Sequence, residues 1–238
     1  MAKKKIVGIV VVRNEDLFIE QGIRSILEFC DDIIVADNMS TDGTFDIIRR
    51  LSQLYPKITY RRIKHPRESH TLIQPYVGTP TWIFGLDGDE IYDSLGLKRL
   101  REEVLNGRYD LWWVVFGNVL NCRELDMERG IATGYLSPPC RSMTKLYNFS
   151  IINEWGGLVE QRLHGGKLIF KNNYNASLRL NLHEMVSWEN SHYRCLHVCF
   201  LKRSSQEFSV WKKTIARRNI TETYSFFSPM LLRIIMPF

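Results

Sequence analysis

The sequence lacks a long hydrophobic run near its start, which argues against a secretory signal. The apolar segment that follows the basic residues 3–5 stops at Arg13, Asn14 and Glu15, whereas a signal peptide needs a longer apolar stretch and a small-residue cleavage site. Cysteine is also scarce, with five residues at irregular spacing. An odd number of cysteines without a secretory signal argues against a disulfide framework and indicates a reducing compartment. We therefore expect a cytoplasmic protein.

Internal repeats, low-complexity tracts and motifs for nucleic-acid binding are absent from the sequence as well. The 32 lysines and arginines outnumber the 26 acidic residues and give a net charge of +6, but they are dispersed along the chain, so nucleic acid is a poor fit as a partner. Anionic ligands or an anionic membrane surface suit this charge better. A chain of 238 residues is long enough for one large α/β domain, or for one domain with a small appendage.

Short apolar runs alternate with amphipathic stretches through the first half of the chain. Strands are predicted at 6–12, 32–36, 58–63 and 82–86, and helices at 22–29, 45–54 and 94–106. This alternation predicts an α/β fold with a mostly parallel central sheet flanked by helices. Ligands bind such sheets at the carboxyl ends of the strands, where the polar loops 13–15, 37–42 and 87–90 fall.

The last of these loops is the candidate metal site. Residues two apart in an extended segment point the same way, so Asp87 and Asp89 can face one ion, and Gly88 lets the backbone come close to it. Oxygen ligands on a short loop suit Mg²⁺ or Mn²⁺ that takes its remaining ligands from water and a diphosphate. A plain polar turn is the alternative, because Asp-x-Asp is short enough to arise by chance.

The order of the motifs resembles family 2 of the inverting glycosyltransferases. The resemblance rests on Arg-Asn-Glu at 13–15 after a strand, on the segment VADNMSTDGT at 35–44, which is its most specific part, and on the Asp-x-Asp at 87–89. It covers the first hundred residues well and weakens afterwards. It implies the GT-A fold, which is Rossmann-like, and a nucleotide-diphosphate sugar as donor, with a UDP-sugar as the commonest choice in the family.

Carried over by position, the resemblance implies the residues that hold the donor and its metal. The segment from Val11 to Glu15 would lie against base and ribose, and Asp37 would bind one of them. Asn38 stands where the family often has a second acid, so hydrogen bonding to the base differs there. Asp89 is the expected direct metal ligand. The predicted donor-binding residues are Val11, Arg13, Glu15, Asp37, Asn38, Arg67 and Asp87.

Inversion by a single displacement needs a base that removes the proton of the attacking hydroxyl. The resemblance implies an acid in the segment 154–165, and Glu160 is our candidate for this base. Glu154 is the alternative, and either carboxylate could instead pair with Arg162 or Lys167. The stretch 117–139, which contains glycines and a proline pair, is predicted to be a long irregular lid or insertion.

A late histidine is a further metal ligand in many GT-A enzymes. His197 is favoured over His183, because the strand predicted at 195–200 leads into Lys202, Arg203, Ser204 and Ser205, a basic loop that suits a diphosphate. On that strand Cys195, His197 and Cys199 share one face, which offers a zinc site as an alternative. Without a second Cys/His pair at a recognised spacing, zinc is the weaker interpretation.

We predict a GT-A domain over 1–200, with a nucleotide-sugar half (1–108) and an acceptor half (109–200), followed by a C-terminal helical extension (201–238). The extension joins a basic helix at 207–221 to an apolar stretch at 226–238 that is too short for a transmembrane helix. It suits peripheral contact with the inner face of a membrane. Folding back onto the core or onto a second subunit is the alternative.

These features together predict transfer of a sugar to a hydroxyl of a glycan or lipid-linked glycan, as in the biosynthesis of a cell-envelope polysaccharide. A sugar nucleotidyltransferase is a less favoured alternative, because it wants a Gly-rich basic loop after the first strand, and residues 12–15 do not form one. A non-catalytic module that binds nucleotides or glycans is the other alternative. It predicts binding without hydrolysis of a donor.

Overall fold

The computed structural model describes residues 3–137, 144–156, 167–206 and 231–235. Strands and helices alternate through the first half of the chain, as predicted. The elements are β1 (Lys5–Val12), α1 (Ile19–Ser25), β2 (Asp32–Asp37), α2 (Thr44–Leu54), β3 (Ile58–Arg62), α3 (Ser69–Ile73), β4 (Thr81–Asp87), β5 (Glu90–Tyr92) and α4 (Ser94–Leu105). Helix α1 begins earlier than predicted, because the backbone N–H groups of Phe18 and Ile19 donate to the carbonyl of Glu15.

The second half is richer in strands than the sequence indicated. Its elements are β6 (Val114–Phe116), β7 (Asn118–Asp126), β8 (Ile131–Ser137), β9 (Lys145–Asn148), β10 (Ile152–Gly156), β11 (Lys167–Phe170), β12 (Arg179–Asn181), α5 (Leu182–Met185), β13 (Arg194–His197) and β14 (Leu231–Ile235). The prediction that the stretch 117–139 is irregular is wrong for its described part, because β7 and β8 pair there as an antiparallel hairpin.

Two sheets carry most of these strands. The larger has seven strands in the order β12-β6-β9-β4-β1-β2-β3, and the smaller has five in the order β14-β8-β7-β13-β5. In the larger sheet β1 pairs in parallel with β2 and β4, and β2 pairs in parallel with β3, while β9 is antiparallel to both of its neighbours. The mostly parallel sheet is therefore confirmed. Because β4 belongs to the larger sheet and β5 to the smaller, the turn between them lies where the sheets meet.

Strand β1 shows why the centre of the larger sheet is apolar on both faces. Ile6 and Val10 point into the cluster that packs on α1, α2 and α4, whereas Val7 and Ile9 point into a second cluster on the opposite face. Strands covered on both sides read as continuous apolar runs. The polar groups that follow these runs are consequently delivered to the rim of the sheet.

The C-terminal part of the chain is described only at 231–235. There β14 pairs antiparallel with β8 at the edge of the smaller sheet, so this segment folds back onto the core, as in one of the two alternatives. The predicted basic helix at 207–221 lies outside the described residues. Among the residues that are described, no helix is long and apolar enough to cross a membrane.

Candidate functional site

The loops that follow β1, β2 and β4 are joined to one another by hydrogen bonds. The backbone N–H groups of Asn38 and Gly88 donate to the carbonyls of Val12 and Val11 at 2.9 and 3.1 Å. The N–H of Asn14 donates to the hydroxyl of Ser40 at 3.0 Å. The parallel register places Val11 beside Asp87. The three polar loops predicted from the sequence therefore form one rim at the carboxyl ends of adjacent strands.

Asp37 is fixed at the end of β2. Its carboxylate is buried and accepts hydrogen bonds from the Tyr60 hydroxyl at 3.0 Å and from the backbone N–H of Ser40 at 2.9 Å. Burial and the bond to Asp37 raise the pKa of the Tyr60 hydroxyl to about 12. Asn38, the next residue, is buried as well. This arrangement holds one carboxylate in a single orientation beside the loop after β1.

Asp89 lies in a buried pocket between two cationic side chains. Its Oδ2 is 2.6 Å from Nη1 of Arg203 and 3.6 Å from Nε2 of His197. Burial alone would raise the pKa of the Asp89 carboxyl, but the charges of His197 and Arg203 hold it well below its usual range. Asp89 is therefore ionised at neutral pH and presents an anionic oxygen toward His197.

His197 is the last residue of β13. The edge of its ring that faces away from Asp89 is held by Asn121. Nδ1 is 2.8 Å from Oδ1 of Asn121, which is the residue opposite His197 in the parallel pairing of β13 with β7. The other ring nitrogen faces Asp89. Burial would lower the pKa of His197, but the neighbouring Asp89 raises it well above the usual value.

Asp87 is paired with a lysine that the sequence did not single out. Its Oδ2 accepts from Nζ of Lys145 at 2.5 Å, and the same Nζ is 3.6 Å from Oε1 of Glu90. Lys145 is the first residue of β9, which pairs with β4. Burial raises the pKa of Glu90 to about 7, although Lys145 opposes this shift. The ammonium group of Lys145 thus pairs with two carboxylates of this loop, those of Asp87 and Glu90.

Glu15 packs across the motif from the loop after β1. Its Oε1 is 3.0 Å from Nη1 of Arg203, while its Oε2 is buried without a hydrogen-bond partner in the described part of the chain. Burial and the charge of Asp89 raise the pKa of Glu15 to about 9. A side chain at Gly88 would place Cβ 2.7 Å from Cγ of Glu15. The close approach of the Glu15 side chain to the backbone therefore requires glycine at position 88.

The segment 203–206 covers the loops that follow β1 and β2. The carbonyl of Arg203 accepts from the N–H of Leu17 at 3.1 Å, and the hydroxyl of Ser204 donates to Asp42 at 2.5 Å. The backbone N–H of Ser205 donates to Asp16 at 2.6 Å. The basic loop predicted to suit a diphosphate therefore lies directly on the candidate donor loops.

The residues at the junction of the sheets fit a divalent metal with an open coordination sphere. Asp89 Oδ2 and His197 Nε2 are close enough for one ion to reach both, since metal ligands of this kind lie about 2.0–2.1 Å from the ion. Both carboxylates of the motif are paired with a cationic side chain, Asp87 with Lys145 and Asp89 with Arg203. Within the described ranges, no group of three or more His, Cys, Asp or Glu side chains is arranged around one point, so the remaining ligands would come from water and diphosphate.

The other predicted residues lie around this cluster or apart from it. Arg13 is exposed in the loop after β1, and Arg67 is exposed in the turn Pro66–Glu68 after β3. Glu154 is exposed on β10, and His183 on α5 is 3.8 Å from Glu184. Glu160, the predicted base, lies outside the described residues. The zinc alternative finds no support, because Cys195 is buried in the apolar core and the described residues hold no such cluster.

Lys145 and Asn121 are the site residues that the sequence reasoning missed. Lys145 precedes the apolar residues Leu146 and Tyr147, so it reads as the solvated start of a strand. Asn121 interrupts the apolar run of β7, and a polar residue in such a run is a signal, because burying an amide is costly unless it has a partner. That signal identifies a buried polar contact but does not identify its partner.

Comparison with known proteins identifies the family. Residues 9–171, well over half of the chain, match the model of glycosyl transferase family 2. No curated protein sequence matches the chain.

The solved structures resemble the chain only in part. A mannosyltransferase from Pyrobaculum calidifontis, in complex with GDP-Man and Mn²⁺, is 19% identical, with a TM-score of 0.37; the match covers 52% of this chain and only 37% of that one. A glucosyl-3-phosphoglycerate synthase from Mycobacterium tuberculosis is 22% identical over 50% of this chain and 43% of its own, with a TM-score of 0.32. These scores are too low to support an argument about function.

The family match agrees with what the sequence motifs and the fold indicate independently. The matched residues include the second half of β1 and all of β2 and β4 with their polar loops, and the mostly parallel sheet flanked by helices is the arrangement that the GT-A fold class requires. The predicted fold class is thereby confirmed. The chain belongs to glycosyl transferase family 2.

Proposed function

We propose that the protein is an inverting glycosyltransferase of the hexosyl type, with a nucleotide-diphosphate sugar as donor and a hydroxyl of a glycan or lipid-linked glycan as acceptor. The observation that carries this proposal is the buried pair of Asp89 and His197, whose facing atoms are 3.6 Å apart. The pair lies beside the loops after β1 and β2, where ligands bind in open α/β sheets. A buried carboxylate and an imidazole beside this rim suit a metal-bound diphosphate.

The donor would bind along the rim formed by the loops after β1, β2 and β4. Asp37 is suited to accept hydrogen bonds from a base or ribose, because Tyr60 and Ser40 fix its orientation. A fixed acceptor loses little entropy on binding. The residues proposed to contact the donor are Val11, Arg13, Glu15, Asp37, Asn38, Arg67 and Asp87, and a UDP-sugar is the donor we favour.

Asp89 and His197 would hold Mn²⁺ or Mg²⁺, with Asp87 close by. When bound, the metal would stabilise the charge that develops on the departing diphosphate. Arg203 is the cationic side chain that already faces this pocket, because its guanidinium contacts both Asp89 and Glu15. Cationic donors aimed at a leaving group in a site sheltered from water stabilise the transition state.

Glu160 is the proposed general base, which would take the proton of the acceptor hydroxyl as that oxygen attacks the anomeric carbon. This assignment rests on the sequence resemblance. Contact with the inner face of a membrane is likewise proposed from sequence, because the segment 207–221 is basic and a lipid-linked acceptor would lie there. Biosynthesis of a cell-envelope polysaccharide in the cytoplasm is the role that these features suit.

The test is donor turnover by the purified chain. UDP-, GDP- and dTDP-sugars would be incubated with and without Mn²⁺, and release of the nucleoside diphosphate would be measured for the wild type and for Asp89→Asn. Metal-dependent release from one donor class, lost in the variant, is the expected result. Binding of a nucleotide with no release would favour the non-catalytic module, and release of pyrophosphate from a nucleoside triphosphate and a sugar 1-phosphate would favour the nucleotidyltransferase.

A further inference from the structure

We propose that Asn121 is a positioning residue that orients His197 for metal binding beside Asp89. The inference deepens the proposed function, because it concerns the same metal pocket. It assigns a role to a residue that lies behind the pocket.

The hydrogen bond between the two side chains has only one possible direction. The carbonyl Oδ1 of an asparagine amide accepts and cannot donate, and it lies 2.8 Å from Nδ1 of His197. Nδ1 must therefore carry a hydrogen. The ring is turned so that Nε2 faces Oδ2 of Asp89 at 3.6 Å.

This orientation is the one that a metal-binding imidazole requires. A metal takes the ring through the lone pair of one nitrogen, and the hydrogen bond made by the other nitrogen sets which one is available. With Nδ1–H donated to Asn121, the ring turns Nε2 toward Asp89, and the lone pair of Nε2 becomes available to a metal when Nε2 gives up its proton. Without that acceptor, hydrogen on Nε2 is favoured because this nitrogen faces the Asp89 carboxylate, and the tautomer with its hydrogen on Nε2 cannot ligate through that nitrogen.

The backbone around Asn121 is built to hold its side chain in place. Asn121 is fully buried, and its strand β7 is flanked by β8 and β13. On β8, Gly134 is the partner of Cys122, and a Cβ at Gly134 would come within 2.1 Å of the Asn121 carbonyl oxygen, so the close approach of β8 depends on that glycine. The adjacent residues Leu120 and Cys122 belong to an apolar cluster.

A leucine would fill such a position without burying an amide. Asparagine at this position instead buries a polar amide, and the cost of desolvating that amide is offset only by a specific hydrogen bond. In this structure the bond goes to the imidazole that faces Asp89, so the amide acts on the pocket through His197.

The test measures the affinity of the purified full chain for Mn²⁺ alone, with free Mn²⁺ quantified by electron paramagnetic resonance. Asn121→Leu keeps the volume and removes the acceptor, whereas Asn121→Asp keeps the acceptor. We expect Asn121→Leu to weaken Mn²⁺ binding by about 10–100-fold, the range seen when an outer-shell partner is lost. The Mn²⁺ affinity of Asn121→Asp should be close to that of the wild type and no lower than that of Asn121→Leu.

Asn118→Leu provides the matched control. Asn118 is a buried asparagine on the same strand, and its amide donates to the carbonyl of Val186 at 3.2 Å. Its replacement should lower the urea midpoint without changing Mn²⁺ affinity. A purely structural role for Asn121 predicts instead that the Leu and Asp variants lose affinity together, in proportion to lost stability, and that outcome overturns the inference.

The inference and the proposed function fail in distinguishable ways. If Asn121→Leu binds Mn²⁺ like the wild type while His197→Ala binds it weakly, the role of Asn121 is refuted. The proposed function, which is tested by donor turnover, is unaffected by that result. If the wild type and His197→Ala bind Mn²⁺ equally, His197 is not a ligand and the inference is refuted. If Mn²⁺ binding behaves as expected but no donor is turned over, the inference holds and the transferase proposal fails.

Discussion

Two groups of charged residues, one around the Asp-x-Asp loop and one on α1 and α2, differ in burial although their ion pairs have similar lengths. In the site cluster, formed by Glu15, Asp87, Asp89, Glu90, Lys145 and Arg203, the closest contacts are 2.5 and 2.6 Å. In the helix cluster, formed by Glu20, Arg24, Asp46, Arg49 and Arg50, they are 2.5 and 2.9 Å. The side chains of Asp89 and Lys145 are 9% and 17% exposed, whereas those of Arg24 and Arg50 are 43% and 50% exposed.

The comparison teaches that burial, and not pair distance, decides what a charged group does here. Glu15 and Glu20 are five positions apart in sequence, yet their pKa values shift in opposite directions. Burial raises that of Glu15 to about 9, and hydrogen bonds from Arg50 lower that of Glu20. Buried charges that cost stability are concentrated at functional sites, which is the reason to look for chemistry in the site cluster.

The largest effect is expected at Lys145. Lys145→Met removes the cationic partner of Asp87, which is 51% exposed, and of Glu90, which is 4% exposed, and leaving a buried carboxylate such as Glu90 without its partner costs about 3–5 kcal/mol in the free energy of unfolding. Urea denaturation would measure it. Lys98→Met is the control, because its pair with Glu28 is 3.6 Å long and 63% and 72% exposed, and its loss should cost at most about 1 kcal/mol. Equal losses in the two variants would show that burial does not separate the clusters.

The next effect is on turnover at Asp89. Asp89→Asn keeps the shape of the side chain but removes the charge that faces His197 and Arg203. We expect donor turnover to fall by about 10²–10³-fold, as when a preorganised electrostatic group is removed. Asp46→Asn in the helix cluster is the control, since its pair with Arg49 is exposed, and it should leave turnover unchanged. The assay is nucleoside diphosphate release at saturating donor.

A third prediction concerns the pH dependence of stability at Glu15. Its pKa is raised from 4.5 to about 9 in the folded protein, so the unfolded chain releases a proton that the native state keeps. The contribution of the Glu15 carboxyl to stability is fully present below pH 4.5 and is lost as the pH rises toward 9. Relative to Glu15→Gln, the wild type should lose up to about 1.4 kcal/mol between pH 6 and 7.

Urea titrations of the two proteins at both pH values would measure this difference. Groups other than Glu15 contribute equally to both proteins and cancel in the comparison. A difference that does not change between pH 6 and 7 would mean that Arg203 keeps Glu15 ionised.

The parallel part of the fold was predictable because burial on both faces gives a local signal. Strands β1, β2 and β4 are apolar runs that end in acids or amides, and their carboxyl ends located the candidate rim correctly. The β7–β8 hairpin was missed because Gly117 and Gly134 were interpreted as loop residues. In the structure both mark a close approach of backbone, since a Cβ at Gly117 would lie 2.1 Å from the carbonyl oxygen of Tyr193, just before β13, and a Cβ at Gly134 would lie 2.1 Å from that of Asn121 on β7.

The partners of the predicted acids were not predictable, because they depend on strand order. Lys145 meets Asp87 only because β9 inserts antiparallel beside β4, and Asn121 meets His197 only because β7 and β13 pair in parallel. Pairings between strands that are distant in sequence have no local pattern. For the same reason the contacts that bury Glu15 and raise its pKa were not predictable, although Glu15 was among the predicted donor-binding residues.

The smallest expected effect is at Glu20 and completes this comparison. Its pKa is lowered by hydrogen bonds from Arg50 and Arg24, so its contribution to stability is present above pH 4.5, the ordinary value, and is lost as the pH falls below it. Because both arginines are exposed, Glu20→Gln should cost no more than about 1 kcal/mol at pH 7, and this cost should shrink toward pH 3 and in high salt. Urea midpoints at pH 7 and pH 3, with and without added salt, would measure it. A loss at pH 7 as large as that of Lys145→Met would mean that the exposed pairs are as constrained as the buried ones, and the distinction between the two clusters would fail.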